Sequence, residues 1–194
     1  MNDIFEEHKL DEQHSIYRCL LPEDLTPSDD VYNALWAMHP DEYHEIMMHG
    51  RPVKTPRWQQ AYGRDYHYTG QTNKALSVPD NLQPLFDSCK ATVDDRLNGI
   101  LLNWYDASEK HYIGAHRDST TNMTDGAPIV TISLGEERSF RLRPWKGKGF
   151  TDLPAPNGTV FVMPYSTNLA WTHEVPHSAK FEQTRISITL RAFD

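Results

Sequence analysis

Two triplets of the form His-x-Asp could each bind a metal ion. They are His39-Pro40-Asp41 and His116-Arg117-Asp118. On an extended chain, residues of equal parity point to the same side, so the His and the Asp of such a triplet can share one ion. The chain has ten histidines, so the triplet occurs readily by chance, and Pro40 favours a helix start at the first copy. The triplet at His116 indicates a metal site only if a third ligand lies elsewhere in the chain.

A third ligand would complete a set of two histidines and one carboxylate. This facial triad is the arrangement of non-haem Fe(II) oxygenases, and it leaves three positions for a bidentate ligand and dioxygen. His173 and His177 both follow a predicted strand at Thr159 to Met163. Pro176 argues against a helix that would bring the two histidines together. Sequence spacing by itself leaves either histidine open as the third ligand.

The last predicted strand carries alternating polar and apolar residues. From Arg185 to Arg191 every odd position is polar or charged and every even position is apolar. One face therefore presents two guanidiniums with only hydroxyls between them, at roughly 20 Å from end to end. A solvent-facing strand would show the same alternation. Because no acid on that face neutralises the arginines, the pattern favours a barrel interior that binds a dianionic carboxylate.

The remaining patterns predict helices in the first half and strands in the second. One helix is expected from a cap at Thr26 or Ser28 to Met38, with others over Pro40 to Met48 and Pro79 to Asp95. Loops and a hairpin are expected over 51–70. The predicted strands are Gly99 to Tyr105, Ile113 to His116, Pro128 to Leu134, Ser139 to Arg143, Thr159 to Met163 and Thr184 to Phe193. Many short strands in one block indicate a sandwich or jelly roll with helices packed outside it.

Composition limits the kinds of protein this chain can be. At 194 residues it suits one domain, and Cys19 and Cys89 are too few for a disulfide scaffold, which favours a reducing, intracellular location. No secretory signal and no membrane span is evident, so we expect no membrane partner. The net charge of -8 disfavours non-specific binding to phosphate backbones. Local contact with nucleic acid would have to come from the basic segment Arg138 to Lys148, unless that segment is simply a solvated strand face.

Several segments together resemble the AlkB family of nucleic-acid demethylases. Leu101 to Tyr105, Ile113 to Asp118 and Pro128 to Gly135 are similar to the family core. Towards the end of the chain, Gly158 to Met163, Trp171 to Pro176 and the heptad Arg185 to Arg191 resemble the branch that repairs alkylated DNA bases. The similarity continues upstream through Pro56-Arg57, Tyr62-Gly63 and Tyr66 to Gly70, and so covers most of the chain from Lys54 onward.

The resemblance implies an α+β fold and a role for each site residue. The fold would be a double-stranded β-helix, or jelly roll, with N-terminal helices and a hairpin lid. Residues 1–97 would form a helical and nucleotide-lid-like region, and 98–194 the catalytic core of a single domain. Iron would be bound by His116, Asp118 and His173. The 2-oxoglutarate would be bound by Asn103, Tyr105, Arg185, Ser187 and Arg191. The substrate would contact Tyr66, Tyr68, Met48 and Arg57.

The activity implied is oxidative demethylation of N-alkylated nucleobases in DNA or RNA. It would use Fe(II), 2-oxoglutarate and dioxygen and would release formaldehyde from a single-stranded or flipped base, with the protein acting as a monomer in the cytoplasm or nucleus. The chain departs from the family at Ser119 and Thr120, where an acid usually follows the His-x-Asp triplet, and at Ser187, where many relatives have Asn. Met47, Met48 and His49 stand where duplex-repair relatives have an apolar wedge. Alternatives are a hydroxylase or demethylase of a protein or small molecule, and a non-catalytic binding module.

Overall fold

The computed structural model describes residues 4–48, 50–68 and 70–194, and at Met48 it describes the backbone only. The described residues form three α-helices, a short 3₁₀ turn at Glu23–Leu25 and fifteen strands. The helices are α1 (Asp29–Trp36), α2 (Gln83–Thr92) and α3 (Tyr165–Ala170). The strands before α2 are β1 (Glu6–Lys9), β2 (Ser15–Leu20), β3 (Glu45–Met48), β4 (Arg51–Lys54), β5 (Trp58–Tyr62), β6 (Tyr66–Tyr68) and β7 (Gln71–Asn73). The later strands are β8 (Gly99–Asp106), β9 (Ile113–His116), β10 (Ile129–Gly135), β11 (Arg138–Pro144), β12 (Thr151–Ala155), β13 (Thr159–Met163), β14 (Trp171–Val175) and β15 (Thr184–Arg191).

Two antiparallel sheets face each other and form the jelly roll. The larger has seven strands in the order β1-β2-β13-β10-β15-β8-β5, and the smaller has four in the order β12-β11-β14-β9. Neighbouring strands are often far apart in sequence, as where β15 pairs with both β8 and β10. This crossing brings residues near 103, 133 and 187 side by side in the middle of the large sheet. The predicted jelly-roll core is confirmed.

The large sheet is buried on both faces. Its outer face packs against α1 and α2, where Leu35, Leu85 and Phe86 lie in one cluster with even-numbered residues of the central strands, such as Trp104 and Ile188. The indole Nε1 of Trp104 also donates to the Leu35 carbonyl at 2.9 Å. The inner face packs against the small sheet in a second cluster that includes Leu101, Phe140, Leu142, Phe161 and Trp171. The odd-numbered residues of β15 therefore point into the space between the sheets.

The N-terminal half contains more strand than the sequence predicted. Ser28 caps α1 through a hydrogen bond from the Val31 amide to its side chain, as expected. The helix predicted over Pro40 to Met48 is wrong, because β3 pairs with β4 in a hairpin that turns near Gly50, which has a φ of 77°. Gly50 provides the left-handed turn residue that a tight hairpin needs.

Two further pairs of strands complete the fold, and one of them lies at the start of the chain. β6 and β7 form a second short hairpin next to the small sheet. β1 and β2 pair with each other, and β2 extends the large sheet beyond β13. None of the helices that the structure describes is long and apolar enough to span a membrane.

Candidate metal centre

Three side chains from distant parts of the sequence meet between the sheets. His116 ends β9, Asp118 follows it in an irregular segment, and His173 lies in β14 directly opposite His116 in the strand register. One ligand atom from each residue lies within 4.8 Å of the other two. The Nε2 atoms of His116 and His173 are 3.6 Å and 3.9 Å from the same Asp118 oxygen, Oδ1. This is the geometry of a site that can bind a metal ion with two nitrogens and one oxygen.

The structure separates the two candidate third ligands. His173 contributes to the cluster, with its ring centroid 4.3 Å from that of His116. His177 lies beyond the end of β14, and its ring meets the edge of Tyr112 at 5.9 Å. His177 is not part of the group that could hold a metal. The first residue of the other triplet also lies elsewhere, since the ring of His39 stacks on Trp58 with a centroid distance of 4.2 Å.

Both histidines of the cluster are suited to metal binding through Nε2. The Nδ1–H of His116 donates to the Gly114 carbonyl at 2.9 Å, which leaves the Nε2 lone pair free. Burial, and then the neighbouring His116, lowers the pKa of His173 to about 3. His173 is therefore a neutral imidazole near pH 7, which is the form that ligates metals. Its Nδ1 is buried and has no hydrogen-bond partner among the described residues.

Asp118 divides its two carboxylate oxygens between different tasks. Oδ2 accepts hydrogen bonds from Arg191 Nε at 3.0 Å and Nη2 at 2.6 Å, while Oδ1 faces the histidines. Burial by itself raises the pKa of Asp118, but Arg191 and the two histidines outweigh it and hold the pKa well below its usual value. The carboxylate stays ionised, and Arg191 fixes which oxygen is available to a cation.

The opposite end of β15 carries a second buried guanidinium. Arg185 is 1% exposed, its Nε donates to Ser133 Oγ at 2.9 Å, and its guanidinium carbon lies 5.0 Å from the Tyr105 ring centre. Burial is the largest influence on Arg185 and lowers its pKa. No carboxylate of the described residues pairs with Arg185, and its Nη1 is buried without a partner. A buried, unpaired cation of this kind calls for an anionic ligand.

The triad and the two guanidiniums line one internal pocket. A comparison with known families identifies the kind of site that this pocket forms. The family model described as the 2OG-Fe(II) oxygenase superfamily matches residues 15–191. The chain belongs to this superfamily. Its metal is Fe(II), and its co-substrates are 2-oxoglutarate and dioxygen.

Similar proteins point to one branch of the superfamily. The human "DNA oxidative demethylase ALKBH2" is 27% identical over 157 residues, covering 75% of this chain and 60% of that protein. The human "Alpha-ketoglutarate-dependent dioxygenase alkB homolog 3" is 25% identical over 150 residues, covering 70% of this chain and 51% of that protein. A solved structure titled "The structure of OsALKBH1" matches the fold with a TM-score of 0.63 at 14% identity, covering 96% of this chain and 100% of that one. The predicted resemblance to the AlkB family is confirmed.

The pocket suits the metal and co-substrate of this oxygenase superfamily. Fe(II) binds imidazole nitrogen and carboxylate oxygen, which the triad offers. A five-carbon dicarboxylate needs a cation at its far end, and Arg185 supplies one whose Nη1 lacks a partner. Every residue predicted to bind the co-substrate lines this pocket. They are Asn103, Tyr105, Arg185, Ser187 and Arg191.

The residues predicted to contact substrate occupy different positions around the pocket. Tyr68 lies at the pocket mouth with its ring 6.4 Å from His116, whereas Tyr66 is buried, stacked on Tyr68 and 4.6 Å from the Arg191 guanidinium. Arg57 reaches the pocket wall, but its Nε donates to Asn103 Oδ1 at 2.8 Å and its Nη2 to Gln59 at 3.2 Å. Arg57 thereby orients the Asn103 amide. His49, Thr69 and the side chain of Met48 lie outside the part of the chain that the structure describes.

Sequence reasoning missed several residues of the site. Thr131 in β10 lies opposite Thr189 in β15 and lines the same pocket, and Ser133, opposite Ser187, accepts from Arg185 Nε. The signal was present, because Val130 to Leu134 alternates between apolar and polar residues in the same way as β15. Asn168 was also missed. It lies in α3, far from the His-x-Asp triplet in sequence, and no spacing rule connects the two.

Proposed function

We propose that this protein is an Fe(II)- and 2-oxoglutarate-dependent dioxygenase that demethylates N-alkylated bases in nucleic acid. The observation that carries the proposal is the convergence of His116, Asp118 and His173 at one end of a pocket whose other end has Arg185, a buried cation that pairs with no carboxylate of the described residues. The names of the similar human proteins supply the substrate class. The chain spans 60% of the length of the first of these relatives, so the proposal concerns the part they share.

Each residue of the pocket has a task in this proposal. His116, Asp118 and His173 are the iron ligands, and Arg191 keeps Asp118 ionised with Oδ1 facing the metal. Arg185, with Tyr105, binds the distal carboxylate of 2-oxoglutarate, and Ser187 adds a hydroxyl on the same strand face. Asn103, held by Arg57, donates its amide to the carboxylate nearer the iron. When bound, the iron would supply the oxidative chemistry: one oxygen atom of dioxygen would enter succinate as 2-oxoglutarate loses carbon dioxide, the other would enter the methyl group of the base, and the N-hydroxymethyl product would release formaldehyde.

The substrate base enters beside Tyr68 in this proposal. Tyr68 lies between the pocket and the surface, in β6 of the β6–β7 hairpin. Alkylated bases such as 1-methyladenine carry a positive charge, so an aromatic face at the entrance attracts them. A base must leave any duplex stack to reach the pocket, at a cost of a few kcal/mol that is lowest for single strands. We therefore propose single-stranded or flipped nucleic acid as the substrate.

The basic segment Arg138 to Lys148 offers fewer free charges than its sequence indicates. Arg138 is 1% exposed and donates to Glu136. Arg141 forms two hydrogen bonds with Asp152, and Arg143 donates to Glu174. Lys146 and Lys148 remain exposed in the β11–β12 loop, next to the exposed ring of Trp145. These two lysines are the proposed phosphate contacts.

A protein or small-molecule substrate is the second candidate. The net charge of -8 and the ion pairs within the basic segment favour it. Both candidates use the same iron chemistry, so the substrate assay described next decides between them. We also propose an intracellular monomer, which the two unpaired cysteines, Cys19 and Cys89, support as far as the reducing location is concerned.

One experiment tests the site and the substrate in sequence. Anaerobic protein is mixed with Fe(II) and 2-oxoglutarate, and the visible charge-transfer band of the chelate is recorded. We expect the band in the wild type and in His177→Ala, and its loss in His173→Ala, because only His173 lies in the triad. A band that survives in His173→Ala would contradict the proposed ligand set.

Oxygen is then admitted with methylated single-stranded DNA, methylated RNA or no oligonucleotide. We expect a methylated oligonucleotide to speed succinate formation and to yield formaldehyde in an amount equal to the additional succinate, and no formaldehyde without it. Unmethylated oligonucleotides of the same sequence are the matched control. Succinate formed at equal rates with and without every oligonucleotide would reject the nucleic-acid substrate and favour the second candidate.

A further inference from the structure

The main chain of Asp118 is held by a single buried side chain. The Asp118 amide donates to Asn168 Oδ1 at 2.9 Å, and the Asp118 carbonyl accepts from Asn168 Nδ2 at 3.1 Å. Asn168 is 0% exposed and Asp118 is 4% exposed. Asp118 lies beyond the end of β9, so no strand pairing supports its backbone. Within the described part of the chain, the side-chain amide of Asn168 is therefore the hydrogen-bond partner of both the main-chain N–H and the main-chain carbonyl of Asp118.

Asn168 lies on the element that leads directly into the other ligand-bearing strand. α3 ends at Ala170, and β14 begins at Trp171, two residues before His173. A second contact joins the same two segments, because Arg117 Nη1 donates to the Leu169 carbonyl at 2.8 Å. The guanidinium of Arg117 also lies 4.2 Å over the Trp145 ring. α3 therefore joins the segment that carries Asp118 to the strand that carries His173.

We propose that Asn168 is a positioning residue that sets the location of Asp118 relative to His173 and so controls how tightly the site binds its metal. The inference rests on the metal site of the proposed function. A buried amide and carbonyl that lose their partners must move to find new ones or pay the cost of remaining unpaired. Either response displaces the Asp118 carboxylate, whereas Arg191 fixes only the end of that side chain. Groups that orient metal ligands typically change metal affinity by about tenfold to a hundredfold when removed.

The test uses Mn(II), which needs neither oxygen nor co-substrate to bind. Metal-free protein is titrated with Mn(II), and free Mn(II) is measured by electron paramagnetic resonance. We expect Asn168→Ala to weaken Mn(II) binding by about tenfold to a hundredfold. In a parallel Co(II) titration, the ligand-field absorption of the variant should shift, because the carboxylate has moved. Mn(II) affinity and a Co(II) spectrum that both match the wild type would overturn the proposal.

A neighbouring residue provides the matched control. Thr167 lies beside Asn168 in α3, is 1% exposed, and donates from Oγ1 to the Ser15 carbonyl at 2.8 Å, away from Asp118. Thr167→Val removes a buried hydrogen bond of the same helix without touching the metal site. We expect it to lower the melting temperature of the metal-free protein but to leave Mn(II) affinity unchanged. Equal losses of Mn(II) affinity in Thr167→Val and Asn168→Ala would mean that α3 acts only through stability and would overturn the proposal.

A variant at Arg117 covers the case in which Asn168→Ala does not fold. Arg117 is only partly buried, so Arg117→Gln removes the hydrogen bond to the Leu169 carbonyl without leaving a cavity in the core. We expect weaker Mn(II) binding with unchanged circular dichroism, and unchanged binding would overturn the proposal in that case. Failure of the metal site itself is distinguishable, because wild-type protein would then bind no Mn(II).

Discussion

At the scale of single residues, the site depends on which polar atoms are already paired. Arg191 has its partner within the protein, since two of its nitrogens donate to Asp118 Oδ2. The Nε of Arg185 donates to Ser133, and its buried Nη1 has no partner among the described residues. The two arginines of one strand therefore differ in function. Arg191 organises a metal ligand, and Arg185 is available to an external anion.

This difference predicts the effect of removing Arg185. We expect Arg185→Met to raise the KM for 2-oxoglutarate by roughly thirtyfold or more, since losing one partner of a buried charge pair costs about 2 kcal/mol or more. The KM is measured from succinate formation at varied 2-oxoglutarate. Arg96→Met is the control, because Arg96 pairs with Asp94 at the surface. An unchanged KM in Arg185→Met would show that the distal carboxylate binds elsewhere.

At the scale of elements, β15 combines a packing face with a binding face. Ile186, Ile188 and Leu190 belong to the cluster under the helices. Ser187 and Thr189 point the other way and line the pocket. Because the side-chain period of a strand is two, a shift of one residue in register would exchange the two faces. Pairing with β8 and β10 on both sides fixes the register.

Neighbouring substitutions in β15 should therefore have different effects. We expect Ile188→Ala to lower the free energy of unfolding by about 2–5 kcal/mol, as for other buried aliphatic truncations, with little change in the KM for 2-oxoglutarate. Ser187→Ala should raise that KM by roughly two- to tenfold, since one hydrogen bond contributes about 0.5–1.5 kcal/mol. Urea denaturation and succinate assays measure the two quantities. If Ser187→Ala changed only stability, the assignment of the binding face would be wrong.

The elements also differ in how far the sequence predicts them. The bounds of β9 and β13 agree with the predicted ranges, and β13 is a compact run of apolar and β-branched residues, which is a local signal. β12 was missed because it is an edge strand that contains Pro154, and such strands carry a weak pattern. β3 was predicted as part of a helix over Pro40 to Met48, because Pro40 favours a helix start, although its partner β4 follows directly in the chain.

The candidate site was predictable to a similar extent and for similar reasons. His116, Asp118 and the two arginines follow local spacing rules, and the structure brings them to one pocket. The choice of His173 over His177 came from family resemblance, because spacing alone left both open. Asn168 and the Arg57 contact with Asn103 depend on how separate segments pack. Tertiary contacts of this kind leave no periodic trace in the sequence.

At the scale of the whole molecule, the metal site joins parts of the fold that are distant in sequence. His116 lies in β9, His173 in β14, and Arg191 at the end of β15 fixes Asp118 from the other sheet. A ligand that binds only the folded state stabilises it by an amount set by its concentration relative to Kd. Binding of a metal should therefore stabilise both sheets together.

We expect Mn(II) at about 100 times its Kd to raise the free energy of unfolding by about 2.7 kcal/mol. For a chain of this size, that corresponds to a rise in melting temperature of roughly 5–11 °C. Differential scanning calorimetry with Mn(II) or with a chelator measures the shift. His116→Ala should abolish it and His39→Ala should keep it, because His39 stacks on Trp58 away from the cluster. An equal shift in both variants would mean that Mn(II) stabilises the protein at another site.

Net charge sets how the molecule can approach nucleic acid. The net charge of -8 disfavours long-range attraction to phosphates, so binding of the proposed nucleic-acid substrate must depend on a few local contacts. We expect the double variant Lys146→Glu and Lys148→Glu to weaken binding of methylated single-stranded DNA and to reduce the slope of log K against log salt by roughly 1.4, from about 0.7 per phosphate contact. Fluorescence anisotropy between low and moderate salt measures the slope. Lys90→Glu with Arg96→Glu makes the same change in net charge outside the β11–β12 loop and should leave the slope unchanged, so equal effects of the two pairs would mean that overall charge, and not this loop, governs binding.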